Sequence, residues 1–329
     1  MSELGSDVKQ ETNEYLIFKS ICHNSEKYKL YYYISSKYFF CYSECHNMSI
    51  YDLIMKIKKC EFKDAFNLLK DIVGNLDRPF IGFGDNEFIE DLDDIEVPEL
   101  KEIDKPFLYN MYLKKEIKEW SEEGISYEVQ QKFKIRYDLK GNRAIIPVFD
   151  DNGKTIGIRT RNFNPRDIER RGKYIPLFYG DKCYNFPTSS MLYGLNITKQ
   201  NILKYKKIII TEGEKSVLKG DEYYPNGNCC VAMLGSNLSK VHKKIILDLA
   251  NGDKSFEVIM AMDKEFEIYD SQERIEYEKK IIKNLDGLNQ YCKCSYIVDK
   301  EGLLDMKDSP LDKGKKIFES LIKSRKLIN

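Results

Sequence analysis

Between residues 205 and 300 the chain alternates short apolar runs with amphipathic stretches, and this alternation leaves few architectures open. Lys207-Ile-Ile-Ile-Thr211, Cys229-Cys-Val-Ala-Met-Leu234, Glu257-Val-Ile-Met-Ala-Met262 and Cys294-Ser-Tyr-Ile-Val298 read as strands. Helical segments lie between them: one starts over Lys215 to Lys219, a second spans Ser239 to Ala250, and a charged one spans Gln272 to Leu285. Strand and helix in alternation imply parallel strands joined by crossover helices.

Two of these strands end in acids. The first delivers Glu212 and then Gly213; the third delivers Asp263, Lys264 and Glu265. In open α/β sheets ligands bind beyond the carboxyl ends of the strands. Asp263 and Glu265, two apart in an extended segment, share a face. If the strands are neighbours, three carboxylates converge on one pocket, and hard oxygen ligands of this kind suit Mg²⁺ or Mn²⁺, which can bridge substrate phosphates. A lone strand-end acid is ordinarily a solvated loop residue. Glu-Gly after one apolar strand and Asp-x-Glu after another form a more specific pattern.

The remainder divides into blocks. Residues 1–14 are polar and read as a disordered leader. Residues 15–75 open with aromatic strand-like runs, Leu30-Tyr-Tyr-Tyr-Ile34 and Tyr38-Phe-Phe-Cys41, followed by a helix from Ser49 and a second from Phe62 to Val73. Residues 76–104 are acidic and lack a sustained period, as a linker would. Residues 105–204 hold a helix around Trp120 and two strands, Ala144 to Phe149 and Thr155 to Arg159, joined by the turn signal Asp150-Asp-Asn-Gly153. Residues 301–329 close with a helix over Asp312 to Lys326. No run of 18 apolar residues exists to span a membrane.

Charge bears on partners. The 53 basic and 53 acidic residues sum to zero, which argues mildly against a nucleic-acid enzyme. They are segregated, however: Glu87 to Glu102 is acidic, while Arg159 to Lys173 carries six Arg and Lys against two acids. A zero sum can hide a basic face. Nine cysteines, an odd number in a chain of this size, suit a reducing cytoplasm better than a disulfide framework.

Ile209-Ile-Thr-Glu-Gly-Glu-Lys-Ser-Val217, Val231-Ala-Met-Leu-Gly235 and Met260-Ala-Met-Asp-Lys-Glu265 resemble the TOPRIM domain of primases, topoisomerases and some nucleases. The resemblance implies that Glu212 is the acid/base or metal-binding glutamate and Asp263 a metal ligand, with Glu265 where the family usually has aspartate. Asp308, in Asp305-Met-Lys-Asp308, resembles a late acidic stretch found in primases. The preceding segment narrows the family. Trp120-Ser-Glu-Glu-Gly-Ile125, Asn142-Arg-Ala-Ile-Ile-Pro-Val148, Gly153-Lys-Thr-Ile-Gly-Ile-Arg-Thr-Arg161, Lys173-Tyr174 and Leu192-Tyr-Gly-Leu195 are similar, in order, to elements of the RNA-polymerase core of DnaG-type primases. Arg143, Arg159, Arg161, Lys173, Tyr174 and Lys215 would then hold template backbone and incoming triphosphate by charge-assisted bonds.

Near the N-terminus, Cys22, His23, Cys41, Cys45 and His46 offer five potential zinc ligands where a tetrahedral structural site needs four. Cys22-His-Asn-Ser-Glu-Lys27 and Cys41-Tyr-Ser-Glu-Cys45, followed by Ile50-Tyr-Asp-Leu-Ile54, resemble the zinc ribbon of the same primases, although the spacings depart from its Cys-x-x-His and Cys-x-x-Cys. Cys22, Cys41 and Cys45 form the expected set, with His23 or His46 as fourth; the alternative is a ribbon that folds without metal. The aromatic strands, with Lys27, Lys29 and Lys37, would contact single-stranded DNA.

The expected protein is therefore α/β and α+β: a small zinc-ribbon-like β domain, a linker, and a primase core with an α+β subdomain followed by a TOPRIM subdomain (205–300) of mainly parallel strands. The expected activity is DNA primase, a cytoplasmic nucleotidyltransferase of the kind encoded by phages or mobile elements. It would use Mg²⁺ or Mn²⁺ and ribonucleoside triphosphates on a single-stranded DNA template, and any helicase would be a separate chain. A TOPRIM nuclease and a catalytically inactive single-stranded-DNA-binding accessory are the alternatives.

Overall fold

The computed structural model describes residues 4–12, 15–23, 25–34, 38–43, 45–61, 64–65, 68–69, 99–103 and 109–328, with only the backbone of 46 and 47. The chain forms two compact units, residues 1–85 and 86–329.

The first unit is an antiparallel meander of β1 (Val8–Glu11), β2 (Tyr15–Phe18), β3 (Leu30–Tyr33), β4 (Tyr38–Cys41) and β5 (His46–Met48), in that order. Alternation sorts its residues. Phe18, Leu30, Phe39 and Cys41 face a core shared with Leu53 of helix α1 (Ile50–Lys58). Ser49 and Asp52 close a capping box at the start of α1, so the chain turns directly from β5 into the helix. The expected leader contains β1, which pairs Glu11 with Leu16 and Gln10 with Ile17. All four of its residues are exposed, so an edge strand here carries no apolar signal for a sequence reading to find. Most of the expected helix from Phe62 to Val73 and of the linker 76–104 lies outside the described residues.

The second unit begins with α2 (Lys118–Glu122), α3 (Tyr127–Lys132) and a four-stranded antiparallel sheet of β6 (Arg136–Asp138), β7 (Arg143–Phe149), β8 (Thr155–Asn162) and β9 (Tyr174–Pro176), with α4 (Pro165–Arg171) between the last two strands. The β7–β8 turn is held by the Asp150 and Lys154 backbones, with Gly153 at φ +85°. A short ribbon of β10 (Phe178–Tyr179) and β11 (Lys182–Cys183) follows.

Helix α5 (Leu195–Tyr205) then leads into β12 (Lys207–Thr211), α6 (Glu214–Tyr223), β13 (Cys230–Ala232), α7 (Lys240–Ala250), β14 (Glu257–Ala261), α8 (Gln272–Leu285), β15 (Lys293–Tyr296), α9 (Lys315–Lys323) and β16 (Lys326–Leu327). The sheet order is β13-β12-β14-β15-β16, parallel except for the last strand. Strands buried on both faces explain the unbroken apolar runs. Ile208 and Ile210 of β12 and Val258 and Met260 of β14 enter one core, while Ile209, Ile259 and Ala261 enter another with Phe318 and Leu321 of α9. Helix α9 is shorter than the expected 312–326. It begins after Gly314 (φ +97°), and Arg325, paired with Glu257 at 2.8 Å, draws the tail back as an edge strand. Among the described residues no helix is long and apolar enough to cross a membrane.

Leu192-Tyr-Gly-Leu195 marks the seam between the two sheets. Leu192 and Leu195 join the core of the parallel sheet, whereas Tyr193 packs with Trp120 and Phe133 in the core beneath the antiparallel one. Tyr193 also exchanges both backbone hydrogen bonds with Ala232 of β13, at 2.8 and 3.0 Å. Gly194 sits at φ +85°, where a Cβ would lie 2.7 Å from Val217 Cγ1. Gly194→Ala should therefore combine left-handed strain of about 1–2 kcal/mol with overpacking of about 1–3 kcal/mol. The expected fall in Tm is about 5–10 °C. Gly252→Ala, at φ +75° with open space around it, should show the strain alone. Equal melting of the two variants by calorimetry would show that the seam tolerates a methyl group.

Candidate active site and metal centre

Strands β12 and β14 are parallel neighbours, in register from Lys207 opposite Glu257 to Thr211 opposite Ala261. The sheet's direction of growth reverses at β12, since β13 lies on one side and β14 on the other. The crevice at such a switch point is where open α/β sheets bind ligands. Glu212 leaves the end of one strand and Asp263 follows the end of the other. The Asp263 amide donates to Glu212 Oε1 at 3.3 Å.

Electrostatics concentrates on this pair. Burial raises the Glu212 pKa, against the pull of the Asp263 amide and Lys280. Burial, then Glu212, then Asp312 push Asp263 up to about 7, against Lys215 and Lys173. Crowded buried carboxylates disfavour their own charged forms, and a divalent cation between them reverses that balance. Oxygen donors of this kind fit Mg²⁺ or Mn²⁺.

The other expected acids are placed differently. The Glu265 carboxylate accepts from Lys280 and Lys307, each at 3.1 Å. Burial opposes its ionisation, but the two lysines outweigh burial and hold its pKa below the ordinary value. Asp308 accepts the Asp305 amide at 2.9 Å and pairs with Lys313 at 3.1 Å. Among the described residues, Glu212, Asp263 and Glu265 do not form a set with ligand atoms all within 4.8 Å of one another.

Lys264, between the two acids, points the other way. Its ammonium reaches Asp299 at 2.9 Å and the Leu304 carbonyl at 2.8 Å, and Asp299 also accepts the amides of Leu303 and Leu304. The Lys264 amide donates to the Asp308 carbonyl, and the Lys307 amide donates to the Lys264 carbonyl. The acid-bearing segment is thus stitched to the 299–308 loop.

The sequence reading missed Asp312. Its carboxylate pairs with Lys215 and Lys219, each at 3.1 Å, and accepts the Ser309 amide at 3.0 Å. Burial would raise its pKa, but the two lysines bring it below the ordinary value. The one available signal was the i,i+4 spacing of Lys215 and Lys219, which puts both ammonium groups on one helix face. Lys215 also binds Glu123 at 2.6 Å.

The expected basic residues separate into two groups. Lys173 and Lys215 act electrostatically on Asp263, and burial, then Arg161 and Lys215, lower the Lys173 pKa. Arg161 lies over the rings of Phe163 and Tyr174, at 5.0 and 5.4 Å. Arg143 and Arg159 are instead committed to carboxylates, Asp138 and Glu214 respectively, each at 2.9 Å.

In the first unit, Cys22, His23, Cys41 and Cys45 have ligand atoms all within 4.8 Å of one another. His23 Nδ1 lies 3.5 Å from Cys22 Sγ, 3.7 Å from Cys41 Sγ and 3.5 Å from Cys45 Sγ. Bonds of about 2.3 Å to sulfur and about 2.0 Å to nitrogen give tetrahedral edges of about 3.6 Å, so the set fits Zn²⁺. Adjacency of Cys22 and His23 is accommodated by a 3-10 turn over Ile21–His23. Burial and the neighbouring thiols of Cys45 and Cys41 push the Cys22 pKa up, so a metal binding there would displace thiol protons and its affinity would fall at low pH. Lys56 of α1 is hydrogen-bonded to Cys45. The His46 side chain lies outside the described residues.

No family model matches the chain. The SPbeta prophage-derived uncharacterized protein YorJ of Bacillus subtilis (strain 168) is 34% identical over 94% of this chain and 88% of its own length. The DNA primase of Chlamydia muridarum is 31% identical over 34% of the chain, and that of Clostridium acetobutylicum is 30% identical over 48%. These matches span only 17% and 25% of the two primases. The crystal structure of the zinc-binding and RNA polymerase domains of Aquifex aeolicus primase superposes with a TM-score of 0.51 at 17% identity, over 98% of this chain and 81% of that one. The chain belongs to one family with YorJ, is similar in sequence to DNA primases over part of its length, and has the fold of the zinc-binding and RNA polymerase domains of Aquifex aeolicus primase.

Proposed function

We propose that the protein is a DNA primase that joins ribonucleotides on single-stranded DNA, with 205–300 serving as its TOPRIM subdomain. The observation that carries this reading is the Glu212–Asp263 pair at the strand switch point, beside Lys173 and Lys215. Glu212 and Asp263 would hold Mg²⁺ or Mn²⁺, and a bound ion would neutralise charge on the transferring phosphate. Lys173, Lys215 and Arg161 supply positive charge for triphosphate and template backbone, and Tyr174 keeps Arg161 oriented by stacking. Phosphoryl transfer of this type depends mostly on positioning and electrostatics, which suits a site made of fixed charges rather than nucleophiles.

The zinc-bearing unit would bind template. On the sheet face opposite its core, Tyr15, Tyr31, Tyr33, Phe40 and Tyr42 form a continuous aromatic group with centroid separations of 4.6–6.3 Å. Half-buried rings at this density, with Tyr42 exposed, suit stacked bases, with Lys27 and Lys29 nearby for backbone charge; Lys37 lies outside the described residues. A helicase on a separate chain would fit the same replication role. The accessory reading draws support from Glu265, whose carboxylate is occupied by two lysines.

Incubation with single-stranded DNA, rNTPs and Mg²⁺ tests the proposal. Short new RNA is expected, and Glu212→Gln or Asp263→Asn should each lower synthesis by about 10²–10³-fold while DNA binding stays intact. Shortened DNA would instead identify a nuclease, and no product from the unmutated chain would favour the accessory role. The zinc-bearing unit makes a separate forecast. Mass spectrometry should find one zinc per chain, lost in Cys41→Ser, while Tyr31→Ala should weaken single-stranded DNA binding by about 1–3 kcal/mol. Undiminished zinc in Cys41→Ser would exclude the Cys22, His23, Cys41, Cys45 set.

A further inference from the structure

Glu214 lies two residues past Glu212, as the first residue of α6, and its carboxylate is 1% exposed. It meets Arg159 of β8 at 2.9 Å. The Arg159 guanidinium also lies 5.3 Å from the Tyr174 ring centroid, and that of Arg161 lies 5.4 Å from the same centroid. Replacing a buried pair of this kind with apolar residues is often neutral or stabilising, so stability alone is a weak reason for one. Placement is a better reason. The N-cap of α6 is Gly213, which makes no side-chain capping bond, so the Glu-Gly-Glu turn has no conventional anchor. It has two restraints instead: the Asp263 amide holds Glu212 from the β14 side, and Arg159 holds Glu214 from the antiparallel sheet.

We propose that Arg159 and Glu214 are a positioning pair that sets the acidic turn for cation binding and ties it to the strand carrying Arg161. The proposal rests on Glu212 being a cation-binding acid. It assigns Arg159 a partner other than phosphate, since the side chain that the sequence suggested for DNA or triphosphate is already held by Glu214. Neither residue is catalytic; both act through Glu212.

The test uses the full-length chain and Mn²⁺ as probe, with binding read by electron paramagnetic resonance and stability by thermal unfolding. Replacing both members, Arg159→Met with Glu214→Met, removes the charges while keeping the volume filled. The double variant is expected to melt within about 5 °C of the unmutated chain yet bind Mn²⁺ about 10-fold more weakly or worse. In primer synthesis, half-saturating Mn²⁺ should rise by the same factor, with the rate at saturation changed by less than about twofold. Unchanged Mn²⁺ affinity in a folded double variant would overturn the proposal and leave the pair a packing element. Should the double variant fail to fold, Arg159→Lys carries the same test, because it keeps the charge and loses the planar fork; unaltered Mn²⁺ affinity there would also count against positioning. Glu212→Gln separates the premise from the inference. If it binds Mn²⁺ as well as the unmutated chain, the cation site itself is wrong and the positioning role falls with it.

Discussion

The pairing of β12 with β14 is the constraint on which the rest of the site depends. Parallel register from Lys207/Glu257 to Thr211/Ala261 brings two strand ends to one level, so the next residues, separated by about fifty positions in sequence, meet through a single 3.3 Å hydrogen bond. A parallel pair cannot be joined by a tight turn and requires crossover connections. The price is a pair of carboxylates brought together in a partly buried crevice, each with its pKa raised. That strain is what a divalent cation or a positively charged partner would relieve. A shift of one residue in the β12–β14 register would turn every side chain of the shifted strand to the opposite face and dismantle both cores as well as the site.

Support for the crevice comes from behind and from in front. Behind it, Lys264 anchors the acid-bearing segment to Asp299 and the Leu304 carbonyl, a buried pair whose remaining bonds are taken by backbone amides. In front, Asp312 gathers Lys215 and Lys219, while Lys173 completes the local positive charge acting on Asp263. The zero net charge of the chain is therefore compatible with a site that handles anions, because its charges are sorted locally.

How much of this was readable from sequence follows from how each feature is encoded. The parallel strands were legible because burial on both faces leaves uninterrupted apolar runs, and the acids were legible because they stand at the ends of those runs. Strand β1 was not, since an exposed edge strand needs no apolar alternation. Asp312 was hidden because its role depends on where α6 places Lys215 and Lys219, which no local pattern reports. Glu265 is only half legible: its spacing from Asp263 suggests a shared face, while Lys280 and Lys307, which engage its carboxylate, come from segments that no local pattern joins to it. The choice between His23 and His46 was open in sequence because it depends on the 3-10 turn that brings His23 beside Cys22, Cys41 and Cys45.

The two kinds of base divide the work in a way their chemistry explains. Arg143 and Arg159 bind Asp138 and Glu214, using a planar, weakly hydrated guanidinium suited to partly buried carboxylates and to stacking on Tyr174. The cationic groups acting directly on Asp263 are lysines, each a compact ammonium on a flexible stem. The Arg143 and Arg159 pairs therefore brace the frame, while lysine charge acts on the crevice, with Lys215 held in turn by Glu123 and Asp312. A lysine in place of Arg159 would keep the charge but lose the planar fork that meets Glu214 and lies over Tyr174.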